Sequence, residues 1–478
     1  MNSGCQSFRR FELKKSRKEK VSFCKSLEEL PLTSAADARK QVSSWLLHDY
    51  VPNEVYDRFA PEHLEGTCNW ILEREVFRSW CSDSFPRNTA KIMWVHGPAG
   101  FGKTVLCTRI ISHLFSNIQA PIAYFFFSTD SEREDPYVAI RSWTWQTVAH
   151  SQALDLAYDA READCISGAT RAKLVDLFQS IVHSIPGCTF ILDGLDECCW
   201  EDKMRHKRNS VVEFLGSLKQ AVANTNTRIL IASRNEPEIQ RGLGLENEEV
   251  YEYGISIDDV RSDIEKYSRS IVERNLSKKK DATKQQLAVR LADRCEGQFL
   301  WLRMQENSLD SLMTEGQLRK AIDTAPAQLD QVYDPNWRKI MSLPSVQLNR
   351  AITILRWVAF AFRPLTIGEI VEAQAITDDC EDLPVDDIQE VLNEGDIDKQ
   401  IIKDCGSLLE VRSNPSKSFD VHTVHLTHFT VKQYLVSHLP LPSAPVSALG
   451  VPSQQNENEH SVAIGKICLQ YINFSTVW

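Results

Sequence analysis

One run of glycines in this chain has the spacing of a phosphate-binding loop. Residues 97–104 read Gly-Pro-Ala-Gly-Phe-Gly-Lys-Thr, which fits G-x-x-x-x-G-K followed by Ser or Thr. Glycines let backbone N–H groups turn inward around phosphate oxygens, and the helix that follows adds partial positive charge. We expect Lys103 to lie against the β- and γ-phosphates and the Thr104 hydroxyl to bind Mg²⁺. The predicted nucleotide contacts are Gly97, Pro98, Ala99, Gly100, Phe101, Gly102, Lys103, Thr104 and Val105.

The surroundings of this run support a phosphate site over other glycine-rich structures. It follows an apolar segment at 92–95 and precedes a segment of helical spacing at 105–114, which is the strand–loop–helix context that the motif requires. Its glycines do not form G-x-G-x-x-G, and a dinucleotide site is therefore disfavoured. A glycine-rich turn without a ligand is the alternative.

A second apolar segment ends in acidic residues that suit a metal ion. Residues 189–197 read Thr-Phe-Ile-Leu-Asp-Gly-Leu-Asp-Glu. A carboxylate at the end of a rigid strand is a hard oxygen ligand, so Asp193 is predicted to bind Mg²⁺ together with Thr104. Asp196 or Glu197 would orient or deprotonate the attacking water. The alternative is an ordinary buried strand followed by an acidic turn.

Arg234 is the third candidate for a catalytic role. It follows the apolar segment 228–232, directly after Ser233. A side chain at the carboxyl end of a parallel strand lies on the ligand-binding edge of the sheet, where a guanidinium would sense the γ-phosphate. A surface arginine in a loop is the other interpretation.

Five short β-rich segments, separated by helical stretches, predict the fold around these residues. Segments rich in Val, Ile, Leu, Phe and Tyr are typical of buried parallel strands. Strands that alternate with helices indicate a three-layer α/β domain. The fold class is therefore α/β, with a parallel sheet flanked by helices. The segments are 91–96, 121–127, 189–193, 227–232 and 249–255.

Changes in pattern divide the chain into six parts. The β signal fades after residue 258, and helical spacing replaces it. The parts are a basic flexible tail (1–35), a helical segment (36–88), the α/β domain (89–258), a helical domain (259–345), a unit of helices and strands (346–440), and a linker with the start of a further helical region (441–478).

Several local signals make these parts more specific. Asp258 and Asp259 are candidate caps of the first helix of the helical domain. Thr366 and Glu369 form a predicted capping box in the next unit. The alternating run 419–426 indicates a strand. The Pro-, Ser- and Gln-rich residues 441–459 indicate a linker, and the sequence shows no partner that would bury the helix predicted at 460–472.

Composition and charge exclude several classes of protein. The formal net charge is −11, which argues against a surface that coats nucleic acid or an anionic membrane. The 13 cysteines are scattered without a C-x-x-C spacing, which favours a reducing compartment. No apolar stretch is long enough to span a bilayer, and no secretory signal is apparent. We therefore expect a soluble cytoplasmic protein with no membrane partner and no specific nucleic-acid partner.

Three histidines recur at every third position near the end of the fifth part. They are His422, His425 and His428. No acid or cysteine stands at ligand spacing beside them, so the pattern does not favour zinc. For His422 and His425 we expect a solvated cluster between strand and turn.

Taken together, the order of these motifs resembles one family. The chain from about residue 62 onward is similar to the NACHT group of STAND-class P-loop NTPases, especially the fungal NACHT–ankyrin proteins with a winged-helix domain of the GPI-inositol-deacylase type. The blocks that carry the resemblance are His63-Leu-Glu-Gly-Thr-Cys-Asn-Trp70, the P-loop, residues 191–197, Ala232-Ser-Arg-Asn-Glu-Pro237, Glu296-Gly-Gln-Phe-Leu-Trp301, Leu318-Arg-Lys-Ala-Ile322, Leu355-Arg-Trp-Val-Ala-Phe360, and His425-Leu-Thr-His428 with the residues that follow it.

The resemblance implies a switch operated by ATP and ADP. ADP would lock the NTPase, helical and winged-helix domains (the last at 346–440) into a closed monomer, and ATP would open it for self-association. A slow ATPase, sensor and effector partners, and a role in fungal non-self recognition or programmed cell death are implied as well. The segment before the P-loop would cover the adenine, which makes Cys68, Trp70 and Ile71 candidate base contacts. The winged-helix domain would reach the β-phosphate through His428.

Two departures from the family keep other functions open. Residues 297–302 contain no proline, so the adenine contact of some relatives is not carried over. The C-terminal repeats of the family are expected to be lacking, which suggests a truncated regulator of full-length relatives. A scaffold that binds nucleotide without hydrolysis is the main alternative, and a P-loop kinase is a weaker one because 259–440 does not resemble a substrate lid.

Overall fold

The computed structural model describes most of the chain between residues 35 and 474. The predicted tail lies outside the described residues up to position 34. No helix in the described ranges is long and apolar enough to cross a lipid bilayer. The described residues are 35–47, 54–85, 90–127, 135–163, 168–198, 210–244, 250–306, 309–325, 333–376, 382–383, 385, 388, 401, 404–412, 421–442 and 454–474.

Five parallel strands form the central sheet. They are β1 (Lys91–His96), β2 (Ile122–Phe126), β3 (Thr189–Asp193), β4 (Arg228–Ser233) and β5 (Val250–Gly254). The order across the sheet is β2-β3-β4-β1-β5, so β4 lies between the strand before Gly97 and the strand that ends in Asp193. The five strands begin and end within about one residue of the predicted segments, and the predicted parallel α/β fold is confirmed.

Helices cover both faces of this sheet, which explains why its strands are almost continuously apolar. One core contains Trp143, Phe178 and Phe190. The other contains Met93 and Ile110 and continues into the helical domain. The helices are α5 (Lys103–Asn117), α6 (Val138–Thr147), α7 (Ser151–Glu162), α8 (Arg171–Ser184), α9 (Ser210–Ala221) and α10 (Pro237–Leu243).

The segment before the sheet forms helices, as its pattern predicts. Trp80 anchors it, because its indole N–H lies 3.1 Å from the carbonyl oxygens of both Lys91 and Ile229. These contacts join the segment to β1 and β4 at the edge opposite the P-loop. The helices are α1 (Ala35–Leu47), α2 (Glu54–Glu62), α3 (Trp70–Glu73) and α4 (Glu75–Cys81).

Between the sheet and residue 325, the described residues form four helices, which make up the helical domain. The cap of the first one is Ser256, whose hydroxyl accepts from the Asp259 N–H while the Asp259 carboxylate accepts from the Ser256 N–H. The prediction that Asp258 and Asp259 are the caps is therefore wrong: the helix begins one residue earlier, and both aspartates lie in its first turn. The helices are α11 (Ile257–Asn275), α12 (Asp281–Arg294), α13 (Phe299–Glu306) and α14 (Glu315–Thr324).

The next unit combines helices with a small antiparallel sheet. Thr366 and Glu369 form the predicted capping box. The strand predicted at 419–426 is present at its end, and residues 413–420 lie outside the described residues. The elements are α15 (Asp334–Met341), α16 (Ser345–Phe360), β6 (Leu365–Thr366), α17 (Ile367–Ala375), β7 (Leu409–Arg412), β8 (Thr423–Leu426) and α18 (Phe429–His438), with strand order β6-β8-β7.

A last helix, α19 (Gln454–Tyr471), corrects two expectations. It begins inside the segment interpreted as a linker, and it does have a partner, because it packs against α16. His460 is fully buried and stacks on Phe360 with ring centroids 4.7 Å apart. Arg356 donates to His460 Nδ1 at 3.2 Å. Because this contact is made by a histidine and an arginine as well as an aromatic ring, the hydropathy of the sequence does not predict that α19 packs against α16.

The histidine cluster also differs from its prediction. His425 lies on β8, the middle strand of the small sheet, and is only 4% exposed, so it is not solvated. Its Nε2 lies 2.8 Å from the hydroxyl of Thr423. The described residues contain no group of three or more His, Cys, Asp or Glu that could hold a metal ion.

Candidate functional site

The P-loop between β1 and α5 adopts a conformation that depends on glycine. Gly100 and Gly102 have φ angles of +80° and +76°, which residues with a side chain rarely adopt. The helical domain also packs closely on the loop: a Cβ on Gly100 would lie 3.2 Å from Leu300 Cβ, and one on Gly102 would lie 3.3 Å from the ring of Phe299. The loop is therefore shaped both for phosphate and for its contact with α13.

Lys103 opens α5 and points back across the loop. Its Nζ donates to the carbonyl oxygens of Gly97 and Pro98, both at 2.9 Å. Burial lowers the pKa of Lys103, and the carboxylates of Asp196 and Asp193 partly oppose this shift. A cation held by carbonyls in a desolvated loop would be strongly attracted to an anion placed there.

The Asp193 carboxylate and the Thr104 hydroxyl are in contact, as two ligands of one metal ion would be. The Thr104 hydroxyl donates to Asp193 Oδ2 at 2.7 Å, and the Cys107 thiol lies 3.7 Å from Oδ1. Burial raises the pKa of Asp193 to about 6, although the bond from Thr104 and the charge of Lys103 act against that shift. A buried carboxylate beside a hydroxyl is a suitable oxygen pair for Mg²⁺, which prefers few protein ligands and keeps several waters.

Arg234 and Asp196 hold each other at the carboxyl edge of the sheet. Arg234 donates to Asp196 through its backbone N–H at 3.0 Å and through Nε at 2.7 Å. Its Nη1 reaches Gln433 on α18 at 3.4 Å. Arg234 therefore lies at the carboxyl end of β4, where the sequence predicted it. It also connects the P-loop domain to the unit that contains α18.

One hydrogen bond and the surrounding charges define the protonation of His428. Its Nδ1 accepts from the Thr430 N–H at 3.1 Å, so it is the N-cap of α18. Burial and the positive charges of Lys103, Arg234 and Arg303 lower the pKa of His428 to about 3. The ring is therefore neutral near pH 7, and because Nδ1 accepts, its proton lies on Nε2.

These side chains line one cavity. Its volume of about 220 Å³ is many times the roughly 10–15 Å³ that one water molecule needs. One end is polar and contains the P-loop. The predicted residues at this cavity are Cys68, Trp70, Ala99, Gly100, Phe101, Gly102, Lys103, Thr104, Val105, Asp193, Asp196, Glu197, Arg234 and His428.

The other end of the cavity is mainly apolar and suits a base. Cys68 has a φ of +58° and its N–H donates to Asp263 Oδ2 at 2.6 Å, which joins the segment before the P-loop to α11. Trp70 lines the cavity as predicted. Ile71 does not: it is fully buried in the core beneath. The step from Trp70 to Ile71 on α3 turns the side chain away from the cavity.

Sequence reasoning missed the residues that the helical domain contributes. The block at 296–301 was noted only as part of the resemblance, yet it lies directly over the P-loop. No local pattern shows which face of a helix meets a loop of another domain. The missed lining residues of the helical domain are Val260, Asp263, Tyr267, Phe299, Leu300 and Arg303; those of the other parts are Phe59, Leu64 and Thr67 before the sheet, and Leu106 and Gly194 in the P-loop domain.

Comparison with known proteins gives two family matches. Residues 66–234 match the family described as Nephrocystin 3, N-terminal. Residues 340–444 match the winged helix domain of GPI inositol-deacylase. The first range contains the P-loop, Asp193 and Arg234, and the second contains His428 and Gln433.

Two fungal proteins are similar in sequence. Vegetative incompatibility protein HET-E-1 of Podospora anserina is 24% identical over 392 residues, which cover 78% of this chain and 26% of that protein. Azaphilone pigments biosynthesis cluster protein L of Monascus ruber is 24% identical over 169 residues, covering 35% and 33%. The chain therefore spans about a quarter of the first relative and a third of the second.

Solved structures resemble the chain only loosely. The ORC2 protein of Aeropyrum pernix in its ADP form covers 90% of this chain at 12% identity and a TM-score of 0.31. Drosophila ORC bound to DNA covers 80% at 12% identity and a TM-score of 0.29. The fold assignment rests instead on the strand order, the P-loop and the two family matches. With a P-loop domain of the nephrocystin 3 type followed by a GPI-inositol-deacylase-type winged helix, the chain is confirmed to resemble the NACHT-type STAND NTPases.

Proposed function

We propose that this chain is a nucleotide-operated switch in signal transduction. ADP in the cavity would hold the P-loop, helical and winged-helix domains in one closed arrangement, and exchange for ATP would open it and permit self-association. The observation that carries the proposal is that all three domains line one cavity, through Lys103, Arg303 and His428 respectively. A ligand that contacts all three shifts a two-state equilibrium through its unequal affinity for the two states.

The cavity supports a division of roles among its residues. The P-loop would surround the phosphates, and Cys68 and Trp70 would lie against the base. Thr104 and Asp193 would hold Mg²⁺, which neutralises phosphate charge when bound. Slow hydrolysis would use Glu197 or Asp196 on the water, with Arg234 at the γ-phosphate.

The relatives suggest a biological setting for such a switch. HET-E-1 is a vegetative incompatibility protein, and this chain would act in the same class of process, fungal non-self recognition or programmed cell death. Its partners would be a sensor and an effector protein in the cytoplasm, besides copies of itself.

One observation favours a scaffold that binds nucleotide without hydrolysing it. Asp196 is engaged by both the backbone and the side chain of Arg234, so one of the two candidate groups for activating water is already occupied. ATP binding without release of phosphate would support this second candidate.

The test is the replacement of Lys103 by alanine. Lys103 is the P-loop side chain that would face two anionic phosphates, so the variant should lose ADP binding. At a concentration of about 100 times Kd, ADP should stabilise the wild type by roughly 2.7 kcal/mol and the variant not at all, measured as a shift in Tm. Lys284→Ala, which removes a half-buried lysine of the helical domain outside the cavity, is the matched control. Equal stabilisation of Lys103→Ala and wild type would overturn the proposal.

A further inference from the structure

Arg303 is the cation that the helical domain supplies to the cavity. Its helix, α13, begins on the P-loop, where the Leu300 N–H approaches the Gly100 carbonyl at 3.4 Å. The ring of Phe299 packs over Gly102. Residue 303 is one helical turn after residue 299 and therefore lies on the same face of α13. The contact of α13 with the P-loop thus directs Arg303 to the cavity that it lines.

Three cationic side chains line the cavity, together with the carboxylates of Asp193, Asp196 and Glu197. Lys103, Arg234 and Arg303 all line it, and all three lower the pKa of His428. Arg234 is paired with Asp196. An anionic ligand in the cavity would therefore be attracted by side chains of both the P-loop domain and the helical domain.

Glu410 of the winged-helix domain connects Arg303 to two other arginines. Glu410 Oε2 lies 3.9 Å from the Arg303 guanidinium, and Oε1 accepts from Arg412 Nε at 3.0 Å. Oε1 also forms an ion pair with Arg58 of α2. The Glu410 side chain is only 20% exposed, so these charges are partly shielded from water and interact more strongly than surface pairs. One carboxylate thus joins the helical domain, the winged helix and α2.

We propose that Arg303 contacts a phosphate of the bound nucleotide, and that Glu410 is a positioning residue that ties this contact to Arg58. This inference rests on the proposed function, because it assumes that the cavity binds a nucleotide. Arg303 would be a fourth side chain at the phosphates, after Lys103, Arg234 and His428. Through Glu410 and Arg58, nucleotide binding would also affect the segment before the P-loop domain.

The first experiment tests the phosphate contact through the charge at position 303. ADP affinity is measured by calorimetry for Arg303→Gln, Arg303→Lys and wild type. Loss of a charge-assisted hydrogen bond should weaken ADP binding of Arg303→Gln by roughly 10- to 150-fold. Arg303→Lys should recover most of that loss, because it keeps the cation. Arg290→Ala, which removes an exposed ion pair with Asp323 in the same domain, should bind like wild type.

Two results would overturn the phosphate contact. One is an unchanged ADP affinity in Arg303→Gln. The other is an equal loss in the Gln and Lys variants, which would indicate a structural role. If the wild type itself binds no ADP, the proposed function fails and this inference fails with it. If the wild type binds ADP through Lys103 and Arg303→Gln is unaffected, only the inference fails.

The second experiment tests the connection to α2. Hydrogen exchange of residues 54–62 is followed with and without ADP in wild type, Glu410→Gln and Arg58→Ala. ADP should protect these amides more strongly in the wild type than in either variant, because the connection through Glu410 adds to the direct contact of Phe59 with the cavity. ADP affinity should change less than about tenfold, because neither Glu410 nor Arg58 lines the cavity. Equal ADP-dependent protection in the wild type and both variants, or none in the wild type, would overturn the role of Glu410.

Discussion

At the scale of single residues, Asp193 combines two properties that a metal ligand needs. It ends a rigid buried strand, and its partner Thr104 is fixed at the start of α5. Its carboxyl group is desolvated, which raises its pKa to about 6. The Asp193 carboxylate is therefore ionised near neutral pH, but few groups around it balance its negative charge. A bound divalent cation would balance that charge.

We therefore expect substitutions at Asp193 and Glu197 to impair different steps. Asp193→Asn should weaken ATP binding in the presence of Mg²⁺ by about tenfold or more, and Glu197→Gln should keep binding but lose turnover. ATP titrations with and without Mg²⁺, together with phosphate release, distinguish the two. The Mg²⁺-dependent gain in wild type should also fade below about pH 6, because a protonated Asp193 no longer attracts the cation. Normal binding and turnover in both variants would indicate an ordinary strand with an acidic turn.

His428 has a structural role besides the hydrogen bond that its Nε2–H is predicted to donate to the β-phosphate. Its Nδ1 caps α18 through the Thr430 N–H, and the loss of a cap costs roughly 1 kcal/mol. A leucine at this position would remove both the cap and the Nε2–H donor. An asparagine would retain a capping oxygen, since Asn is a favourable N-cap, but would lack the reach of the imidazole.

His428→Asn should consequently separate the two tasks. Its Tm without ligand should stay near that of wild type, while ADP should leave it roughly 10- to 150-fold faster because a phosphate hydrogen bond is lost. His428→Leu should show the faster release and a lower Tm. Stopped-flow release of a fluorescent ADP measures the rate. Unchanged release from His428→Asn would mean that His428 only caps the helix.

At the scale of elements, the contact between α13 and the P-loop depends on Gly297. This residue has a φ of +91°, and a Cβ there would lie 2.5 Å from Cζ of Phe101. Phe101 belongs to the P-loop and is 7% exposed. The glycine therefore permits the close approach that brings Arg303 to the cavity.

Gly297→Ala should destabilise the protein and weaken ADP binding together. The left-handed backbone and the displaced ring should lower the free energy of unfolding by roughly 1–3 kcal/mol. Gly316→Ala in α14 is the matched control, because a Cβ there meets nothing within 4 Å, and alanine is favoured over glycine inside a helix. Urea unfolding and ADP titration measure both effects. A Gly297→Ala variant as stable as the control would show that Phe101 can move aside.

The elements also show how far the sequence predicts this molecule. The strands, the P-loop and the Thr366 capping box were predictable because each is specified by residues adjacent in the chain. Phe299 and Arg303 were not, because their role depends on how two domains meet. Ile71 was misplaced for a related reason: the resemblance indicates a segment, whereas the helical rotation of α3 decides which side chain faces the cavity.

At the scale of the whole molecule, several contacts between the domains lie around the cavity. Arg234 of the P-loop domain reaches Gln433 of the winged helix at 3.4 Å. Glu410 of the winged helix pairs with Arg58 and Arg303. The hydrogen bond from Arg234 to Gln433 is long, and the charges around Glu410 are only partly shielded from water, so we do not expect these contacts to hold the domains together without a ligand. A closed state held in this way would depend on its nucleotide, as a switch requires.

Gln433→Ala should make the closed state easier to leave. A single long hydrogen bond contributes about 0.5–1 kcal/mol, which corresponds to roughly a two- to fivefold shift of the closed–open equilibrium. With ATP, the variant should form a larger oligomer fraction in size exclusion with light scattering, whereas ADP should keep it monomeric because the ligand still joins three domains. Ser437→Ala is the control, because the Ser437 hydroxyl donates to the Gln433 carbonyl of its own helix at 3.3 Å. If Gln433→Ala and Ser437→Ala assemble alike, the contact between Arg234 and Gln433 does not hold the closed state.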